Sequence, residues 1–196
     1  MNNSELYLLE DPFSSRYLRL HLVSEWINEE LAEKLAYGQK ISSEAVVLNG
    51  YMGGPVADIL WTGLPPMFCV SKKVIDLLEE NHFTGWSTYP VEVSDRKGNK
   101  LPEYYGFAVT SYAGERDKSR SPIVEKDPIT ESGKKYSVYK GFYFDEAKWD
   151  GSDIFRVHPC WLIVTQAVKD AFIKAKIRNV KFIALPDEET STLVYS

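Results

Sequence analysis

Apolar and polar positions alternate early in the chain. Leu18, Leu20 and Leu22 fall on one side of a two-residue period, and Tyr17, Arg19 and His21 fall on the other. That pattern predicts a half-buried strand. The period then lengthens: Ile27, Leu31, Ala32 and Leu35 recur at helical spacing. Ser24 is placed to cap a helix beginning at Glu25, and Gly38 to stop it. Glu29, Glu30 and Glu33 occupy the outer face of that helix and read as solvated surface.

One pattern is used twice. Residues Phe68 to Glu92 read FCVSKKVIDLLEENHFTGWSTYPVE, and Leu162 to Pro186 read LIVTQAVKDAFIKAKIRNVKFIALP. Aligning Val70 with Val164 fixes a constant offset of 94 residues. Ser71 then meets Thr165, Val74 meets Val168, Asp76 meets Asp170, Leu78 meets Phe172, Phe83 meets Ile177 and Gly85 meets Asn179. Each stretch reads as strand, helix, turn, strand. Ser71 and Thr165 are residue types that cap helices, and Gly85 and Asn179 are the types that most readily take a positive φ. We therefore expect an internal duplication, 68–92 and 162–186.

Between the two stretches the chain is strand-rich. Lys97-Gly98-Asn99, inside Asp95 to Lys100, predicts a hairpin turn. Tyr104 to Tyr112 and Tyr136 to Phe144 are aromatic and β-prone. Ala113 to Lys135 is charged, carries Pro122, Pro128 and Gly133, and is expected to be a long mobile loop. The fold class is α+β, with a mixed or antiparallel sheet and two related strand-helix-strand units. Residues 1–57 read as an N-terminal strand-helix segment packed on the core, and 58–196 as the α+β domain that holds the duplication.

Charge and composition narrow the partners. Asp and Glu outnumber Lys and Arg, 28 to 23. Nucleic acid calls for the opposite balance, so none is expected. No apolar run has the length of a membrane span, and Met1 to Glu5 lacks the basic and apolar regions of a secretory signal, so a cytoplasmic protein is expected. Cys69 and Cys160 each sit in an apolar run without a second ligand at metal spacing, and read as buried free thiols.

No spacing assembles a reactive site. Gly50, Gly53 and Gly54 lack the lysine and hydroxyl of a phosphate loop and read as a turn before a strand near Ile59. His21, His82 and His158 have no neighbour that would make any of them a general base. Asp145, Glu146, Asp150 and Asp153 do not match the spacing of a calcium loop. Neither a metal, a cofactor nor a catalytic residue is assigned.

The run LPPMFCVSKKVIDLLEENHFTGWSTYPVEV, then YYGFAVT, DKSRS and SDIF, and finally WLIVTQAVKDAFIKAKIRNVKFIAL, resembles the Imm11-type immunity proteins over roughly residues 58 to 186. The resemblance implies a bacterial cytoplasmic protein that neutralises a cognate toxin of a polymorphic toxin system by direct protein–protein binding. It supplies no catalytic residues to carry over. An enzyme that reverses a toxin's modification, and a housekeeping ligand-binding or scaffold protein, are the alternatives. For the contact surface the charged loop is the candidate, with Glu115, Arg116, Asp117, Lys118 and Arg120 supplying charge complementarity. The toxin's activity and the oligomeric state are left open.

Overall fold

The computed structural model describes residues 5–39, 44–128, 130, 133–158 and 161–192. Cys160, expected as a buried thiol, lies outside them; Cys69 is a buried free thiol. Among the described residues fifteen strands form four sheets, and three α-helices accompany them.

Two sheets share one plan. In the first, β4 (Ile59–Trp61), β5 (Phe68–Ser71), β9 (Tyr104–Val109) and β6 (Trp86–Tyr89) lie in the order β4-β5-β9-β6, with α2 (Lys72–Glu80) joining β5 to β6. In the second, β12 (Ile154–Val157), β13 (Trp161–Thr165), β1 (Leu6–Glu10) and β14 (Lys181–Ala184) lie in the order β12-β13-β1-β14, with α3 (Gln166–Lys174) joining β13 to β14. Both sheets are antiparallel throughout. The third position is filled from downstream in one sheet, by β9, and from the N-terminal side in the other, by β1. These are the two related strand-helix-strand units that the sequence predicts.

The likeness extends to single atoms. Asn81 N–H donates to Leu77 O, and Ala175 N–H to Ala171 O; His82 N–H donates to Glu79 O, and Lys176 N–H to Ile173 O. His82 and Lys176 both turn into the left-handed region, at φ 56° and 54°, and Gly85 and Asn179 do so again at 91° and 67°. The cap positions are as expected, with Ser71 and Thr165 at ψ 160° and 162°, but neither hydroxyl caps its helix. Their backbone N–H groups are taken by Asp58 O and Asp153 O at the entry to the neighbouring strand.

The remaining elements cover this pair. Strands β2 (Arg19–Leu22), β3 (Val46–Met52), β7 (Val91–Ser94) and β8 (Lys100–Leu101) form a mixed sheet in which β3 and β7 run parallel. Strands β10 (Ile123–Lys126), β11 (Tyr136–Lys140) and β15 (Glu189–Ser191) form a small antiparallel one. Helix α1 (Glu29–Ala36) is capped by Asn28, whose side chain accepts from Leu31 N–H, and not by Ser24 as expected. Ser24 Oγ accepts from Val47 N–H instead, so the helix starts four residues later than the expected Glu25. Gly38 stops it, at φ 64°. The expected loop Ala113–Lys135 also holds regular structure: a 3-10 turn at Lys118–Arg120, then β10 on β11.

The sheets divide the interior into three layers. On β1 the side chains of Leu6 and Leu8 join one buried cluster, with Phe142, Phe144 and Phe155. Leu9 points the other way, with Tyr7, into a cluster shared by both units, which includes Val74, Leu78, Val168 and Phe172. Cys69 and Ala108, on the far side of β5 and β9, join a third with Leu35, Leu48 and Val93. The period of two sends alternate residues of one strand to different layers.

Candidate functional site

A cleft of about 560 Å³ opens where β1, the end of α1, the β4–β5 turn and the β12–β13 edge converge. Its wall is largely apolar, with Leu9, Trp61, Phe68, Val109 and Leu162 among the lining residues. Clefts of a few hundred Å³ with a few placed polar groups are the usual shape of recognition sites. The β4–β5 turn holds Pro65 and Pro66 at the rim and is fixed from inside. Thr62 Oγ1 donates to Met67 O at 2.6 Å and accepts from Leu64 N–H at 3.1 Å.

Two arginines line this cleft, in different states. Arg19 donates from Nη1 and Nη2 to the two oxygens of Asp11, at 3.0 and 2.6 Å. Its charge is therefore matched inside the protein, and the bond to Asp11 raises its pKa. Asp11 also accepts from Phe13 N–H at 2.8 Å, which helps to hold the Phe13 ring out in solvent, 82% exposed. Among the described residues Arg156 has no such partner. Its guanidinium carbon lies 3.8 Å from the Tyr37 ring centre and 4.7 Å from that of Tyr112. Its Nε is buried without a hydrogen-bond acceptor, and among the described residues no carboxylate reaches it within ion-pair distance. Burial lowers its pKa, with the fields of Tyr37, Tyr112 and Glu33 opposing.

Backbone pairing fixes the rim. Arg156 N–H donates to Ser111 O at 3.1 Å, and its carbonyl accepts from Ala113 N–H at 2.9 Å, so Tyr112 is held beside Arg156. Tyr112 is 42% exposed, and its hydroxyl donates to the Glu115 carboxylate. The start of the charged segment is thereby anchored beside Arg156, which lines the cleft.

The five candidate contact residues fall into two groups. Glu115, Lys118 and Arg120 are exposed. Arg116 is half-buried; its guanidinium sits 4.7 Å from the Phe142 ring and 5.6 Å from the Trp161 ring, and Nη1 donates to Thr190 Oγ1 at 2.6 Å. Asp117 accepts from Ser119 N–H at 3.0 Å and caps the 3-10 turn, while Arg120 donates to Phe144 O at 3.1 Å. The acids of the 145–153 stretch are similarly engaged: Asp150 accepts from Ser111 Oγ, and Asp153 from Thr84 N–H and Oγ1.

Arg156, Tyr37, Asp11 and Phe13 escaped the sequence reading. One signal was present. Arg156 is in phase with the core residue Ile154 on a short, otherwise apolar strand, which puts a cation on an inward face. The residues that sandwich it come from distant parts of the chain, and no local pattern joins them.

Among the described residues no group of three or more His, Cys, Asp or Glu is placed to hold a metal, and no helix is long and apolar enough to cross a membrane. No curated protein matches the chain. The model of the Imm11 immunity protein family matches residues 45–187, most of the length, and the chain belongs to that family.

Proposed function

We propose that this protein neutralises a cognate bacterial toxin by binding it directly, in the cytoplasm of the cell that makes both. Membership of an immunity family over residues 45–187 carries this reading. The surface around the cleft has the chemistry that binding requires. Aromatic side chains on a rigid frame give contact area at small entropic cost, and charges around them select the partner. Phe13, Tyr112, Glu115, Lys118 and Arg120 are exposed there or on the adjoining segment, and Arg116 and Asp117 keep that segment in shape.

Protection by binding is stoichiometric. The toxin encoded beside this chain should co-purify with it, and protection should scale with the molar ratio of the two. Protection at a small fraction of one equivalent would instead indicate turnover and an enzyme. Reversing the rim charges with Glu115→Lys and Lys118→Glu should slow association a few-fold and alter its salt dependence, because solvated charges act mainly on encounter. Surface plasmon resonance at two ionic strengths reads that effect, and an unchanged on-rate removes this segment from the interface.

A further inference from the structure

We infer that the cleft receives an acidic, apolar segment of the toxin, with a large apolar side chain against Trp61 and Leu162 and a neighbouring carboxylate on Arg156. This rests on the toxin-binding reading and adds the chemistry of the contact.

Charge is the first argument. The cleft holds one cation already neutralised and one that is not: Arg19 is held on both oxygens of Asp11, whereas among the described residues Arg156 meets the rings of Tyr37 and Tyr112 and no carboxylate within ion-pair distance. A half-buried guanidinium without a counter-ion carries a desolvation cost that an incoming carboxylate relieves. Geometry is the second. The guanidinium packs on the rings of Tyr37 and Tyr112 and belongs to a residue that lines the cleft, and its planar set of donors matches a carboxylate.

The remaining observations select the class of ligand. Glu10 and Asp11 line the same cleft but are paired with Lys181 and Arg19, so among the described residues Arg156 is the cation in the cleft without a counter-ion, which matches a single carboxylate and not a polyanion such as a nucleotide or nucleic acid. Phe13, 82% exposed, and Tyr112, 42% exposed, extend the apolar area beyond the cleft mouth. A free small acid has no use for that area, whereas a protein segment crossing the mouth covers it.

Two capped dipeptides serve as probes: acetyl-Trp-Glu-amide and its Gln counterpart, titrated into the full chain. Binding is followed by the NMR shifts of the indole N–H groups of Trp61 and Trp161. The Glu peptide should bind about tenfold more tightly, in the range of charge-assisted recognition. The preference should shrink with added salt and vanish in Arg156→Gln. Arg156→Lys, which keeps the charge without the planar fork, should retain part of it. Equal affinity of the two peptides for the wild-type chain overturns the inference and needs no variant to fold. Tighter binding of 4-phenylbutanoate than of the Glu peptide would give the cleft to a free small acid, and overturn the peptide as occupant.

The same Arg156→Gln protein is then tested against the toxin, with circular dichroism to confirm its fold. A loss of about tenfold or more in affinity supports the docking, because truncating one partner of a desolvated pair acts on dissociation. An intact complex overturns it. If the wild-type chain forms no complex with the toxin but keeps its Glu preference, the toxin-binding reading has failed while the chemistry of the cleft stands.

Discussion

Gly85 and Asn179 occupy equivalent places in the two units and solve one problem in different ways. Each must take a positive φ beside the other unit's first strand. At Gly85 the partner backbone is so close that a Cβ would lie 1.9 Å from Ile154 O. At Asn179 there is room, and the side-chain amide donates to Ile59 O at 2.8 Å. Gly85→Ala should therefore cost about 3 kcal/mol or more, from the left-handed backbone and the displaced strand together. Asn179→Gly should cost only about 1 kcal/mol, since it loses one hydrogen bond and strains nothing. Thermal denaturation of the two variants compares them, and equal losses would refute the asymmetry. Glu188 gives a prediction in pH. It is buried, and burial first, then the field of Glu10, raises its pKa, with Thr190 and Arg116 opposing. Folding thus favours the protonated form. The wild-type chain gains its Glu188 term at low pH and loses it as pH rises through the folded pKa, whereas Glu188→Gln cannot ionise. The variant should be the more stable at neutral pH, with the difference closing below about pH 4, under the ordinary Glu value. Urea unfolding of both proteins at the two pH values measures it.

At the scale of elements, the two units are interlocked by reciprocal bonds. Arg178 N–H, in the turn after α3, donates to Asp58 at 2.8 Å, and Ile59 N–H returns to Arg178 O. Thr84 N–H, in the turn after α2, donates to Asp153 at 3.0 Å, and Ile154 N–H returns to Thr84 O. The two aspartates differ in burial. Asp58 is 6% exposed and also meets Arg178 Nε at 3.2 Å and Lys73 at 3.8 Å. Asp58→Ala should cost about 2–3 kcal/mol and Asp153→Ala about 1 kcal/mol, the difference between a buried charge-assisted acceptor and a more solvated one. Chemical denaturation decides it, and the reverse order would mean that burial is not what separates them. Much of this scale was legible in the sequence. Helical spacing, the cap positions and the Gly85–Asn179 equivalence are local patterns, and local patterns survive in one dimension. What could not be read was competition for bonds: Ser24 is an acceptable cap by type, but strand β3 takes its hydroxyl, and Asn28 caps α1 instead. The cleft was hidden for the same reason, because Tyr37, Tyr112 and Arg156 become neighbours only when strand pairing brings them together. That the units descend from one duplicated segment is a proposal that related chains can test: some should show higher identity at the offset of 94 residues.

For the whole molecule, the decisive strand is one that no local reading places. Strand β1 lies between β13 and β14, so the second unit is closed by a segment far from it in sequence. Leu6 and Leu8 are almost wholly buried in one layer, and Leu9 in the next, so β1 joins the two interiors as well as the two strands. Removing a buried leucine side chain costs about 2–5 kcal/mol, and three such losses approach the entire stability of an ordinary domain, about 5–15 kcal/mol. The family match begins at residue 45, which makes a fragment starting there an obvious one to prepare. It lacks β1, leaves the edges of β13 and β14 unpaired, and opens the layer that holds Phe142, Phe144 and Phe155. Exposed apolar strand edges pair with other chains, so this fragment is expected to aggregate and to show no cooperative melting. A peptide of residues 5–39, added during refolding, should restore a soluble complex with a sharp transition, because it can supply β1 in trans together with β2 and α1, which the fragment also lacks. A fragment from residue 45 that melts cooperatively without the peptide would show that the matched region closes its own sheet, and that β1 is an addition to the fold and not its centre.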